Sequence, residues 1–290
     1  MPSIRVKDLK KHFGKTRAVD GISFEVEKGE IFGFLGPNGA GKTTTIRAMM
    51  DFIRPTFGSI EILGKDAQDD SVYLKGKIGY LSNNANLYDS WSAQKHINYQ
   101  QNFRGRTKKA SELLKLFNLN PKLKFKNLSS GNRQKLSIVL ALMNEPEILF
   151  LDEPTVALDP LLQNVFHGYL KDFAEAGGTV FMSSHNLSEV ERVCDRVGII
   201  RDGKMVAVEK ISDMKLQKMY DIHVHGDRDI ELDELKGKNT EVISHSDGAY
   251  TLKVKGDINP ILKKIASLDI KDIEITHVSL EDIFMEFYQK

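Results

Sequence analysis

The run Gly36-Pro37-Asn38-Gly39-Ala40-Gly41-Lys42-Thr43 follows the apolar stretch IFGFL at residues 31–35 and precedes a helical stretch at 44–52. A strand that enters a glycine-rich loop and leaves as a helix is among the most constraining patterns a chain can carry. Glycines let successive N–H groups point into one concavity without Cβ clashes, and a helix N-terminus adds partial positive charge. The spacing fits GxxxxGK[ST], in which Lys42 offers a point charge to the β- and γ-phosphates and the Thr43 hydroxyl is a Mg²⁺ ligand. The loop predicts a nucleoside triphosphate site.

Such a loop needs a sheet behind it. Residues 77–81, 147–153, 179–184 and 196–203 are short apolar runs bounded by turn or charged residues, with helical stretches between them. Fully apolar strands alternating with helices predict a parallel sheet covered on both faces. Residues 4–13 and 20–30 instead alternate, as antiparallel strands do, so the simplest reading is one mixed sheet in an α/β P-loop NTPase domain. Residues 85–145 read as a mostly helical subdomain. Within 101–127 there are eight Lys or Arg against the single acid Glu112, a solvated face or a surface for anionic lipid or an acidic partner.

The character changes near Met214. Residues 211–290 carry a net charge of −5 while the whole chain carries +1. Alternating strands, a hairpin through Asp247-Gly248, the amphipathic stretch NPILKKIASL and a final helix capped by Ser279 with Asp282 in its first turn predict a small α+β domain. The expected organisation is a nucleoside-triphosphate-binding domain over 1–213 and an accessory domain over 214–290.

Asp152-Glu153 ends an apolar run 110 residues after Lys42. A carboxylate at a strand end beside a phosphate loop can hold Mg²⁺, and a second one next to it suits a base that orients water at the γ-phosphate. Composition limits the alternatives. A hydrophobic content of 41% supplies a core, and a near-zero net charge gives no sign of a dedicated nucleic-acid binder. The longest apolar run, 138–143, is far below the ~20 residues of a spanning helix, the N-terminus lacks a secretory pattern, and the single cysteine, Cys194, excludes an internal disulfide.

Further residues fall in a fixed order around these two motifs. Leu128-Ser129-Ser130-Gly131-Asn132 stands 24 residues before Asp152, Glu153-Pro154-Thr155 runs on to Ala157-Leu158-Asp159, His185 follows a β-run 33 residues after Asp152, and Phe13 lies upstream. In order and spacing the chain resembles, over about residues 3–210, the nucleotide-binding subunit of an ATP-binding cassette (ABC) transporter. The resemblance implies that two cassettes close head to tail around two ATP molecules. Phe13 would stack on adenine, and Lys42 with the amides of Gly39, Gly41 and Thr44 would hold the phosphates. Thr43 and Asp152 would hold Mg²⁺, Glu153 would polarise the attacking water, and His185 would contact the γ-phosphate. Ser129, Ser130, Gly131 and Asn132 would form the signature that serves the partner's site, and Asp159 would belong to the D-loop.

Two motifs depart from the family pattern. Asn83 occupies the place of the usual Gln after the strand IGYL, and Ser130 and Asn132 replace a glycine and a Gln of the signature. If the backbone at 130 needs φ > 0, Ser130 carries a penalty on the order of 1 kcal/mol. The trailing domain with Ser279–Asp282 resembles that of the export branch, and residues 83–99, with Tyr88 and Trp91, occupy the place where the family docks its membrane subunit. Trp91 reads equally as docking residue or core. The implied partners are a second cassette, identical or not, and a membrane permease at the cytoplasmic face of the cell membrane. The competing reading is a soluble ABC ATPase or a weakly hydrolysing regulatory cassette.

Overall fold

The computed structural model describes residues 2–83, 86–105, 107–216, 219–226, 239–246, 249–268 and 270–277. They divide into two units, Met1–Lys210 and Ile211–Lys290.

In the first unit, strand β1 (Ile4–Phe13) pairs antiparallel with β2 (Thr16–Val26) on one side and with β4 (Phe57–Ile62) on the other. With the two-residue β5 (Lys65–Asp66) they form a sheet of order β2-β1-β4-β5. The second sheet has the order β10-β9-β3-β8-β7-β6. Its strands are β3 (Ile31–Leu35), β6 (Ile78–Leu81), β7 (Ile148–Asp152), β8 (Thr179–Ser184), β9 (Arg196–Arg201) and β10 (Lys204–Lys210). All neighbours are parallel except β10, which runs antiparallel to β9 at the edge. The antiparallel and parallel strands expected within one mixed sheet thus occupy two sheets. β1 uses both of its edges on β2 and β4, and neither outer strand, β2 or β5, pairs with a strand of the second sheet.

The two sheets share one core. Ile4, Val6 and Leu9 of β1 and Ile22, Phe24 and Val26 of β2 are buried in the same cluster as Phe32 and Phe34 of β3. Phe24, Phe32, Phe34 and Phe181 lie with ring centroids 5.2–5.8 Å apart, within the range of favourable aromatic pairs. Helix α1 (Lys42–Met49) turns Ile46, Ala48 and Met49 into this core, which fixes its N-terminus at the tip of β3. It starts two residues before the expected helix because Gly41 serves as its N-cap.

Helix α2 (Ser71–Lys77) leads into β6, and between β6 and β7 lies the helical region. It comprises α3 (Ala93–Arg104), α4 (Lys109–Leu116) and α5 (Ser130–Leu142). Ser92 and Ser129 cap α3 and α5, each accepting a bond from a backbone N–H of its first turn. Ala93, Leu119, Phe125, Leu128 and Leu136 form a small core of their own. Helices α6 (Pro160–Glu175) and α7 (Leu187–Val193) complete the unit.

The second unit begins with α8 (Ile211–Leu216) and contains β11 (Met219–Gly226), β12 (Thr240–Ser246), β13 (Ala249–Lys255), α9 (Asn259–Ile265) and β14 (Ile270–His277). The strands form an antiparallel sheet of order β12-β13-β11-β14. Ile222, Val224, Tyr250, Leu252 and Val254 face Ile261 and Ile265 of α9, an α+β arrangement with its own core. The hairpin residues Asp247 and Gly248 and the final helix after Ser279, with Asp282, lie outside the described residues.

Candidate functional site

The loop between β3 and α1 is held by steric necessity. A Cβ on Gly36 would stand 2.3 Å from the Ile200 carbonyl oxygen, and one on Gly41 would stand 2.4 Å from that of Ala18. Gly41 also has φ +109, which side-chain-bearing residues rarely adopt. Lys42 is 5% exposed, and its Nζ donates to Gly36 O at 2.6 Å and Pro37 O at 3.2 Å. A cavity of about 160 Å³ is lined by Pro37, Asn38, Gly39, Gly41, Lys42, Thr43, Thr44, Asn83, Glu153 and Ala18. Ala40 is buried beside it and donates its N–H to Pro37 O.

The tip of β7 delivers the two carboxylates, and the tip of β8 delivers Ser183 and His185. Thr43 Oγ1 donates to Asp152 Oδ2 at 2.8 Å, and Ser183 Oγ donates to Asp152 Oδ1 at 2.6 Å. The parallel register sets Asp152 beside Ser183, so the second bond follows from strand pairing. Glu153, 6% exposed, has φ 51, a left-handed conformation uncommon outside glycine. This turn brings Oε1 to 3.1 Å from Lys42 Nζ and Oε2 to 2.7 Å from His185 Nδ1. The His185 side chain is half-exposed. Lys42, Thr43, Asp152, Glu153 and His185, spread over more than 140 positions, therefore meet in one continuous constellation.

The remaining candidates stand elsewhere. Phe13 ends β1 with its ring half-exposed and Lys11 Nζ 5.0 Å from the ring centroid, outside the cavity lining. Ser129 and Ser130 are exposed at the start of α5, where Ser129 Oγ accepts from Asn132 N at 3.3 Å. Ser130 is the first residue of α5 and has no positive φ, so the penalty envisaged for a left-handed serine does not arise. A Cβ on Gly131 would meet Ala157 O at 3.0 Å, and Gln134 Nε2 donates to Pro154 O at 2.6 Å, which ties this helix to the segment after Glu153. Asp159 caps α6 by accepting from Leu162 N at 2.9 Å. Tyr88, Trp91, Tyr99 and Phe103 form a ladder with successive centroids 4.3, 5.3 and 5.0 Å apart. Trp91 is partly covered within it, whereas Tyr88 and Phe103 are exposed.

Three participants were not singled out by sequence reading: Ser183, Ala18 and the buried acid Glu189. Glu189 Oε1 accepts from Thr155 Oγ1 at 2.7 Å and Oε2 from Ser184 Oγ at 2.6 Å. Burial raises the pKa of Glu189, but the interactions directed at it by His167, Ser184 and Thr155 outweigh this and hold it below the usual value. An acid in a helix whose other inward residues are Leu187, Val190 and Val193 was the available signal.

A strand–loop–helix phosphate cradle with a carboxylate pair at the end of a second parallel strand of the same sheet is the architecture of a P-loop NTPase. A family model described as ABC transporter matches residues 19–156, and the chain belongs to the ATP-binding subunits of ABC transporters, a family of ATPases. It is 37% identical over 218 residues to the linearmycin resistance ATP-binding protein LnrL of Bacillus subtilis, covering 73% of this chain and 70% of that protein. It is 32% identical over 311 residues to the bacitracin transport ATP-binding protein BcrA of Bacillus licheniformis, covering 98% and 96%. The probable multidrug ABC transporter ATP-binding protein YbhF of Escherichia coli is 36% identical over 225 residues, 75% of this chain, and the match spans only 39% of YbhF. Dimeric structures of the bacterial cassette MJ0796, one in a post-hydrolysis state bound to ADP and Pi, match with TM-score 0.67 at 27% identity over 72% of this chain and 98% of that one.

Proposed function

We propose that this chain is the ATP-hydrolysing subunit of an exporter, pairing with a second cassette and driving a separate membrane permease. The observation that carries the reading is the convergence of Lys42, Asp152, Glu153 and His185 at the phosphate loop, with contacts of 2.7–3.1 Å. In this reading the amides of Gly39, Gly41 and Thr44 and the Lys42 ammonium hold the triphosphate, an electrostatic role in a site shielded from water. Thr43 Oγ1 and Asp152 Oδ2, hard oxygen donors already within 2.8 Å of each other, fit Mg²⁺, which takes few protein ligands and completes its shell from phosphate and water. Mg²⁺ there would neutralise phosphate charge. Glu153 acts as the base that orients water, His185 steadies that carboxylate and reaches the γ-phosphate, and Asn83 lines the same cavity at reduced reach. Phe13 stacks on the adenine. Ser129, Ser130, Gly131 and Asn132 complete the partner's site, and Asp159 belongs to the contact between the two cassettes.

The names of LnrL and BcrA, resistance and transport ATP-binding proteins, support export, and no helix among the described residues is long and apolar enough to cross a membrane. The permease would dock on the ladder of Tyr88, Trp91 and Tyr99, holding the chain at the cytoplasmic face of the membrane. The second unit is an accessory domain. The direct test is ATP turnover and ATP binding by the full chain and Glu153→Gln. Turnover is expected to fall on the order of 10²–10³-fold with binding retained, as for loss of a general base. Unchanged turnover would remove Glu153 from the mechanism.

A further inference from the structure

We propose that Glu189 is a positioning residue that sets the spacing between Glu153 and His185 by clamping the two turns that carry them. The inference rests on the roles given above to Glu153 and His185. Thr155 lies two residues after Glu153, across Pro154, and Ser184 lies immediately before His185. Each of the two Glu189 oxygens takes one of these hydroxyls, at 2.7 and 2.6 Å. Thr155, Ser184 and Glu189 are all buried. Hydrogen bonds of this kind, from hydroxyl to carboxylate, are short and strong, and the other acceptor near the Ser184 hydroxyl, Asn186 O, is farther away at 3.3 Å.

The clamp is itself anchored. Glu189 N donates to Asn186 Oδ1 at 3.2 Å, the N-cap bond of α7, so the carboxylate has a fixed origin. Gln163 Nε2 donates to Thr155 O at 3.3 Å, and Gly36 N donates to Ser184 O at 3.3 Å, which connects the same turn to the start of the phosphate loop. His167 Nε2 lies 3.6 Å from Glu189 Oε1, a longer buried contact at the oxygen that Thr155 also reaches. A buried carboxylate is a poor means of gaining stability, since an apolar replacement of similar volume is often as stable. What this carboxylate provides is two acceptors at a fixed separation, between the segments whose side chains meet in the 2.7 Å Glu153–His185 contact.

The test uses the full chain and measures kcat for ATP, Kd for ATP and melting temperature. Glu189→Ala and Thr155→Val are each expected to lower kcat on the order of tenfold to a hundredfold, the range for a misplacement of about 1 Å, with Kd for ATP within about twofold of wild type. Thr155→Ser keeps the hydroxyl and is expected to restore kcat. Glu189→Gln keeps one acceptor and is expected to fall between. Combining Glu189→Ala with Thr155→Val should be no worse than Glu189→Ala alone, because both remove one clamp. Wild-type kcat in Glu189→Ala, additive losses, or a loss of Kd and melting temperature that parallels kcat would each overturn the proposal. Glu153→Gln and His185→Ala run alongside. If they retain full turnover, the reading of the catalytic pair falls and this inference with it. If they are inactive while Glu189→Ala is not, the inference alone falls.

Discussion

The phosphate loop and the segment Leu128–Asn132 both open a helix of the same unit, and they are built on different terms. At α1 the contacts close within the chain: Lys42 is buried, Thr43 is bonded to Asp152, and two glycines lie where backbone oxygens leave no space for a Cβ. At α5 Ser129 and Ser130 are exposed, and the Ser129 side chain caps the helix by accepting from Asn132 N. One region is a finished cradle, and the other is a prepared edge. Substitutions at the cradle should act on the chain that carries them, whereas substitutions at the edge should act on another.

The largest effect is expected from Gly41→Ala. A Cβ 2.4 Å from Ala18 O at φ +109 forces the loop open, and strain of about 3 kcal/mol corresponds to a loss of ATP affinity on the order of 100-fold. Titration with a fluorescent ATP analogue measures it, and wild-type affinity would show that the cradle is not sterically closed. Next comes a mixing experiment. Ser129→Ala and Lys42→Ala are each expected to lower ATP turnover about tenfold or more, and an equimolar mixture should exceed both, because a mixed pair retains one site with Lys42 and Ser129 intact. A mixture no better than its components would make the edge as self-contained as the cradle.

Acid should separate the regions by stability. His96 lies in α3, within the small core of the helical region, where its Nε2 accepts from Tyr88 N at 3.1 Å while Nδ1 lies 2.9 Å from Ser92 O. That pattern requires the neutral ring, and burial holds the His96 pKa below its ordinary 6.5. The unfolded chain then binds more protons, so this contribution is present above about pH 6.5 and is lost as pH falls below it. The melting temperature should drop between pH 7 and 5.5, and less so in His96→Gln; an equal drop in both would exclude His96. The smallest effect belongs to Ser130→Gly. It restores the family residue but relieves no left-handed strain, so it should destabilise the chain by less than about 1 kcal/mol by thermal melting. A stabilised variant would contradict the helical placement of Ser130.

Much of the cradle was readable because its requirements are local. Gly36, Gly41, Lys42 and Thr43 are dictated by backbone space and phosphate charge over eight consecutive residues, and Asp152 and Glu153 by the end of a buried strand. The strands 31–35 and 179–184 were legible at their observed bounds because apolar runs between turns leave little choice. Partition into two sheets was not legible, since alternation in residues 4–13 says nothing about which strands take both edges of β1. The left-handed turn at Glu153 and the bonds from Thr155 and Ser184 to Glu189 depend on strands and a helix far apart in sequence. Ser130 was open in sequence because a motif glycine can serve φ or space, and here the helix start decides.

The 3.1 Å contact between Lys42 and Glu153 has a bearing on what ATP binding measures. Both groups are buried, so each is the other's counter-ion, and the protein does not hold an isolated charge at the centre of the cradle. A phosphate that engages Lys42 therefore enters by exchange, displacing an internal anion as it arrives. In the proposed mechanism the measured affinity would be the difference between two ion pairs, and the carboxylate released in that exchange would be the one assigned to water.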